Sequence, residues 1–133
     1  MKIEHFALQV PDPAAMADWY QKNLGCVITR SSGEPTHQRF LSDSSGAIML
    51  EFYRNPRVPV PDYQAMDPLL VHIAFLSETP AADRDRLVKA GARVADDLIA
   101  SPAGDQLVML RDPWGVAVQL VKRADPMLKK QVL

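Results

Sequence analysis

The stretch HFALQVPDPAAMADWYQKNLG, residues 5–25, sets the architecture of the chain. Apolar and polar residues alternate in its first part, which is typical of a half-buried strand, and the alternation stops at Asp12. Asp12 can cap a helix that has Pro13 in its first turn, and Gly25 can end that helix. The stretch therefore predicts a strand over residues 2–10 that is followed directly by a helix.

The same order of elements then occurs a second time. HFAL at 5–8 corresponds to HIAF at 72–75, and LEF at 50–52 corresponds to VQL at 118–120, at almost the same offset. The first half is predicted to contain strands at 2–10, 26–31, 37–42 and 47–53, with a helix from Pro13 to Gly25; the second half is predicted to contain strands at 69–76, 93–99, 105–111 and 116–122, with a helix from Thr79 or Pro80 to Gly91.

The repeat predicts an α+β fold made of two βαβββ modules in one domain over residues 1–133. Module 1 covers about 1–54 and module 2 about 69–122. Residues 55–68 contain four prolines and are expected to form a linker. Residues 123–133 have no counterpart in the first half and are expected to be a C-terminal extension.

Composition excludes several classes of partner. Fifteen basic and sixteen acidic residues give a formal net charge of −1, so the chain has no strong field to attract nucleic acid or anionic lipid. No apolar stretch approaches the roughly 18 residues of a membrane span. Cys26 is the single cysteine and cannot form an internal disulfide. These features predict a cytoplasmic protein without membrane or nucleic-acid partners.

Four polar side chains occupy matching places in the two halves. Because side chains alternate across a strand, each strand presents two rows. In the first and last strand of each half, one row is apolar and the other carries a residue able to bind a metal. These residues are His5, Glu51, His72 and Gln119.

The cost of burying charge favours a metal at these residues. Glu51 has no Lys or Arg in its own row, and an unpaired carboxylate in an apolar row would lose several kcal/mol of solvation. Two imidazoles and two oxygen ligands suit a divalent ion of Zn, Ni, Fe, Co or Mn. The alternative is that each His is an ordinary hydrogen-bonded or half-exposed strand residue.

At these residues the chain resembles the vicinal oxygen chelate superfamily, which includes glyoxalases, extradiol dioxygenases and bleomycin-resistance proteins. The resemblance is carried by HFALQVPDPAAMADWYQKNLGCVI, IMLEFY, LVHIAF and LRDPWGVAVQLV. It implies that the two modules form an open barrel with the helices outside and a metal cleft inside. It also implies a homodimer, a divalent metal cofactor, and His5, Glu51, His72 and Gln119 as its ligands.

Within that superfamily the chain is most similar in pattern to bacterial glyoxalase I. This likeness implies a lyase or isomerase that moves a proton next to a metal-held carbonyl of a small substrate, with Glu51 as ligand or catalytic base. Gln119 departs from the pattern, because glyoxalase I has Glu there, whereas epimerases of the superfamily mix amide and carboxylate ligands. The second hypothesis is a metal-free protein that sequesters a ligand, as bleomycin-resistance proteins do.

Further residues are candidates for substrate binding. Met49 and Tyr53 share the row of Glu51 and are expected to line an apolar cleft, or simply to belong to the core. Arg39 could bind a substrate carboxylate or phosphate, as could Arg111, although a solvated sheet edge explains either residue equally well. Trp114 follows a predicted turn and could cover the cleft or pack at a dimer contact.

Overall fold

The computed structural model describes residues 1–128 and contains two compact units, one of residues Met1–Pro61 and one that begins at Asp62. The boundary between them lies inside the predicted linker of residues 55–68. Residues 129–133, the last part of the predicted C-terminal extension, lie outside the described residues.

The first unit is a four-stranded sheet with one helix. Its elements are β1 (His5–Gln9), α1 (Pro13–Leu24), β2 (Val27–Ser31), β3 (Arg39–Ser42) and β4 (Met49–Tyr53). The strand order is β1-β4-β3-β2, in which β1 and β4 are parallel and the other neighbours are antiparallel. The last strand of the module therefore lies beside the first.

Helix α1 begins and ends where the sequence predicts. The Asp12 carboxylate accepts a hydrogen bond from the backbone N–H of Ala15 at 3.0 Å, and Gly25 ends the helix in the left-handed region, at φ 70°. Tyr20, which is fully buried, packs edge-on against Phe52 with the ring centroids 4.9 Å apart. Burying a large apolar side chain such as Phe52 contributes roughly 1.5–3 kcal/mol. Since neighbouring residues of a strand point to opposite faces, Glu51 lies on the face away from α1.

The second unit repeats this arrangement. Its elements are β5 (Ile73–Leu76), α2 (Pro80–Lys89), β6 (Arg93–Ala100), β7 (Gln106–Arg111) and β8 (Ala117–Lys122). The order is β5-β8-β7-β6, with β5 and β8 parallel. The predicted α+β fold of two βαβββ modules is confirmed. Within residues 1–128 no helix is long and apolar enough to cross a bilayer.

The first strand of the second unit starts later than predicted. Residues 69 and 70 were expected in a strand, yet a turn holds them: the carboxylate of Asp67 accepts from the N–H of Leu69 at 2.8 Å, and its carbonyl accepts from Leu70 at 3.0 Å. Leu69 is 78% exposed, so it does not belong to the apolar row of the strand predicted over residues 69–76. Asp67 supplies a local turn that outweighs the apolar pattern.

Candidate functional site

The strand register places the candidate residues equivalently in the two units. Ala7 pairs with Glu51 across the parallel strands β1 and β4, and Ala74 pairs with Gln119 across β5 and β8. Each histidine comes two residues before the alanine, and residues two apart on a strand share a face. Each unit thus carries one imidazole and one oxygen ligand at matching positions, although His72 lies just before the first residue of β5.

In the first unit, the predicted pair is in contact. His5 Nε2 lies 3.3 Å from Glu51 Oε2, and the Glu51 side chain is only 10% exposed. The other carboxylate oxygen of Glu51, Oε1, accepts a 2.7 Å hydrogen bond from Gln38 Nε2. The His5 ring also packs edge-on against Phe40 at 5.7 Å between centroids. The buried carboxylate is therefore paired with an imidazole and an amide, as burial of charge requires.

This pair has the geometry of two donors to one divalent ion. Metal–ligand bonds of about 2.0–2.1 Å at tetrahedral or octahedral angles place two donors about 2.8–3.4 Å apart. The 3.3 Å between His5 Nε2 and Glu51 Oε2 falls in that range. Gln38 holds the second oxygen of Glu51, and carboxylates that bind metals are commonly fixed by such a hydrogen bond. The spacing of these two donors is compatible with a divalent cation.

Glu4 completes the surroundings of His5. Its carboxylate accepts a hydrogen bond from His5 Nδ1, which leaves Nε2 directed at Glu51. The hydrogen bond that His5 donates to Glu4 and the negative charges of Glu4 and Glu51 raise the pKa of His5 above its usual value. A cation at Nε2 would therefore compete with the proton that Nε2 carries when the ring is charged, a form that both carboxylates stabilise.

In the second unit, a backbone carbonyl determines which nitrogen of His72 is available. His72 Nδ1 lies 3.0 Å from the carbonyl oxygen of Pro68. A carbonyl only accepts, so Nδ1 carries the hydrogen and the neutral ring presents Nε2 as its lone-pair nitrogen. Histidines that bind metals are usually oriented by such a hydrogen bond from the opposite nitrogen. Gln119 is half-buried on the neighbouring strand.

No cluster of three or more His, Cys, Asp and Glu side chains suited to a metal occurs within residues 1–128. The His5–Glu51 pair supplies two donors, and a structural or catalytic zinc site takes at least three ligands from protein. A metal held by this pair therefore needs ligands beyond these two residues.

The predicted substrate-binding residues have different settings. Met49 and Tyr53 lie on β4 two residues either side of Glu51, and both are half-buried. Arg39 pairs with Phe52 and so belongs to the opposite row; its guanidinium donates to the carbonyls of Ser32, His37 and Gln38. Trp114 lies in the turn after β7, where its backbone N–H donates to the Asp112 carboxylate at 2.9 Å. Their substrate roles stay predictions.

The sequence reasoning did not identify Glu4 and Gln38. Glu4 falls in the row opposite His5 when the strand is divided by alternation, so the alternation does not associate it with the candidate ligands. Gln38 comes one residue before β3, outside the first and last strands of the module, which carry the repeated candidate ligands. A search for amides in the strand next to Glu51 could have found Gln38.

Gln9 shares the row of His5 but has a structural contact. Its amide donates to the carbonyls of Asn55 at 2.7 Å and Val58 at 2.9 Å, and accepts from the N–H of Asn55 at 2.8 Å. We expect Gln9→Ala to lower the free energy of unfolding by about 2 kcal/mol, because it leaves backbone groups unpaired. Urea denaturation measures this, with Gln21→Ala on the exposed side of α1 as control. Equal losses in both variants would contradict it.

A family model described as Glyoxalase/Bleomycin resistance protein/Dioxygenase superfamily matches residues 2–120. The match spans both sheets and both helices, from the strand that carries His5 to the strand that carries Gln119. The chain belongs to this superfamily, as its resemblance to the vicinal oxygen chelate proteins predicted.

One curated protein and two solved structures illustrate what the chain is similar to. The ethylmalonyl-CoA/methylmalonyl-CoA epimerase of Cereibacter sphaeroides is 32% identical over 98 residues, which cover 70% of this chain and 73% of the epimerase. The crystal structure of SMU.1112c has a TM-score of 0.71 at 25% identity, and the match covers 92% of this chain and 98% of that one. TnmS3, an antibiotic-binding protein from Streptomyces sp. CB03234, has a TM-score of 0.70 at 18% identity, over 93% of this chain and 97% of its own.

Proposed function

We propose that this protein is a divalent-metal-dependent isomerase of the glyoxalase type. It moves a proton at the carbon next to a carbonyl of a small oxygenated substrate. The observation that carries the proposal is the contact of His5 Nε2 with Glu51 Oε2 at 3.3 Å, with Gln38 on the other carboxylate oxygen. A buried carboxylate held in this way can serve both a cation and a proton transfer.

The proposed metal ligands are His5, Glu51, His72 and Gln119. Their two imidazole nitrogens and two oxygens suit Zn, Ni, Mn, Fe or Co rather than Ca or Mg, which prefer oxygen ligands alone. When bound, the metal supplies a Lewis acid for the negative charge that develops on the substrate carbonyl oxygen. The equivalent register of Glu51 and Gln119 in the two sheets supports the assignment.

Glu51 is the proposed base. Its Oε2 faces His5, while Oε1 stays hydrogen-bonded to Gln38, so a proton taken from the substrate would be received at Oε2. An Oε2 that received the proton would not be available as a cation ligand at the same time, so the two roles of Glu51 would be exercised in turn. Met49 and Tyr53, which flank Glu51 in the same row, are placed to contact the substrate and to exclude water from it.

We further propose an acyl-CoA thioester as substrate. The epimerase relative is named for ethylmalonyl-CoA and methylmalonyl-CoA, and epimerisation is a proton exchange at a carbon between carbonyl groups. The four proposed ligands of this chain include one carboxylate and one amide, and epimerases of the superfamily also mix amide and carboxylate ligands. Gln119 therefore supports an acyl-CoA substrate over the glyoxalase reaction. We also propose that the protein works as a cytoplasmic homodimer.

A second candidate function is sequestration of an apolar ligand without metal. The second unit contains a cavity of about 320 Å³ whose lining includes Leu76, Val121 and Met127. Leu76 is 83% exposed and pairs with Val121 in the row of Gln119. An apolar surface of this kind could bind a planar or amphipathic molecule, and the similarity of the fold to the antibiotic-binding protein TnmS3 is compatible with it.

Metal binding separates the two functions. Protein stripped with a chelator and then given Ni, Zn, Mn, Co or Fe should melt at a higher temperature. At a metal concentration of 100 times Kd the gain is about 2.7 kcal/mol, which corresponds to roughly 10 °C for a chain of this size. The measurement is differential scanning fluorimetry.

Variants make the test specific. His72→Ala should abolish most of the shift. His37→Asn should keep it, because His37 is exposed and lies outside the repeated pattern, and Asn tolerates its φ of 49°. If none of the five metals raises the melting temperature of the unmodified protein, the isomerase proposal fails and sequestration becomes the better candidate.

A further inference from the structure

We propose that Arg111 is a positioning residue for His72. Through the loop of residues 62–68, called loop 62–68 below, it holds the carbonyl of Pro68 against the imidazole and so determines which ring nitrogen is free of hydrogen. The inference rests on the proposed function in taking His72 as a metal ligand, but the imidazole tautomer that it concerns exists without the metal.

The Arg111 guanidinium is bonded to backbone carbonyls. Nη1 donates to the carbonyl of Tyr63 at 2.7 Å and to that of Gly115 at 3.1 Å, and Nη2 donates to that of Met66 at 2.7 Å. Within residues 1–128 Arg111 makes no salt bridge. A half-buried guanidinium with three carbonyl partners joins loop 62–68 to the turn between β7 and β8. Its contacts differ from the anion-binding role that its charge alone suggested.

Loop 62–68 is held on both sides of Pro68. Two residues earlier, the Met66 carbonyl accepts from Arg111. One residue later, the N–H of Leu69 donates to the Asp67 carboxylate at 2.8 Å. Proline itself has a fixed φ, so few rotations remain that could turn its carbonyl away. The position of the Pro68 oxygen is therefore set by Arg111 from one side and by the Asp67 turn from the other.

Gly115 shows how closely loop 62–68 lies on the turn. A Cβ atom at residue 115 would come within 2.7 Å of the Gln64 side chain and 2.9 Å of its backbone nitrogen, and the φ of Gly115 is +91°. Only glycine satisfies both the backbone conformation and the space. The Gln64 side chain also accepts from Arg93 on β6. Loop 62–68 is thus packed directly on the turn that Arg111 bonds.

The consequence for His72 follows from the chemistry of imidazole. In the neutral ring one nitrogen carries hydrogen and the other has the lone pair that binds a metal. The Pro68 carbonyl, 3.0 Å from Nδ1, stabilises the form with hydrogen at Nδ1. If Arg111 no longer held the loop, this preference would weaken and a fraction of the rings would carry hydrogen on Nε2, the nitrogen needed by the metal.

The tautomer can be measured directly. Two-bond ¹H–¹⁵N correlation spectra of metal-free protein, at a pH where imidazole is neutral, distinguish the two forms, and a chain with 3 histidines gives few signals. Loss of one set of signals in His72→Gln assigns the residue. We expect His72 to be the Nδ1–H tautomer in the unmodified protein and a mixture in Arg111→Met.

A second readout and two variants sharpen the test. Arg111→Met should weaken Zn²⁺ binding about twofold to tenfold, because the apparent affinity falls in proportion to the fraction of rings that keep the Nδ1–H form. Arg111→Lys keeps the charge and some donors and should restore part of the preference. Arg86→Met, on the exposed side of α2, is the matched control and should leave tautomer and affinity unchanged.

The result that overturns the inference does not depend on the variants folding. If His72 of the unmodified protein is the Nε2–H tautomer, a result that needs no variant, or if folded Arg111→Met keeps the Nδ1–H form completely, Arg111 does not position the ring. A failure of the proposed function would give a different result. No metal would bind to the unmodified protein, but the tautomer of His72 would still change when Arg111 is replaced.

Discussion

Replacing Glu51 with Gln should lower the exchange of the substrate α-proton with solvent by about 10²–10⁴-fold, the usual contribution of a general base. The amide of Gln has nearly the same shape and can still accept from Gln38 Nε2, which donates to Glu51 at 2.7 Å, but it cannot receive a proton usefully. The measurement is deuterium incorporation into methylmalonyl-CoA or ethylmalonyl-CoA in D₂O with metal-loaded protein.

The control for Glu51→Gln is Glu34→Gln, which removes the same charge at an exposed site. Exchange should be unchanged in that variant. The melting temperature of each metal-free variant shows whether the protein has folded. The metal content of Glu51→Gln shows whether its rate falls because metal is no longer bound or because the base is missing. A metal-loaded Glu51→Gln protein that exchanges the proton at the original rate would remove Glu51 as the base.

Much of the fold could be predicted because its signals are local. Asp12 and Gly25 act on the residues next to them, so they mark the ends of α1 without help from distant parts of the chain. The alternation of apolar and polar residues is also a local signal, and it indicates which face of a strand each side chain occupies. It correctly predicts that His5 and Glu51 lie on the same side of one sheet. The repeat then extended both conclusions to the second half.

The parts that could not be predicted depend on backbone groups that are distant in sequence or have no side-chain signature. The Pro68 carbonyl that orients His72 is one of more than a hundred carbonyls with nothing to distinguish it in the letters. Nothing in the sequence distinguishes the carbonyls that accept from Arg39 and Arg111 either. The positive charges of these two residues suggested that they bind an anionic substrate. Gln38 was missed because an amide can pair with many groups.

The identity of the residue at position 119 determines how many carboxylates the proposed site has. Gln119→Glu is expected to create, or to raise by about tenfold or more, isomerase turnover on methylglyoxal plus glutathione, because it adds a carboxylate that can receive a proton. Gln119 is half-buried and pairs with Ala74, whose short side chain does not crowd it. Turnover is measured with metal-loaded protein by formation of the thioester product.

Gln106→Glu is the matched control, since Gln106 is also half-buried in this sheet, on β7, and the same charge change is made there. It pairs with Lys122 rather than with a residue of the Gln119 row, so its carboxylate would face the other side of the sheet. A gain confined to Gln119→Glu would show that the amide at this position limits the glyoxalase reaction. An equal gain in both variants, or no gain in metal-loaded Gln119→Glu, would show that the number of carboxylates does not decide between the glyoxalase and epimerase reactions. The preference for thioester substrates would then have to come from groups that contact the substrate.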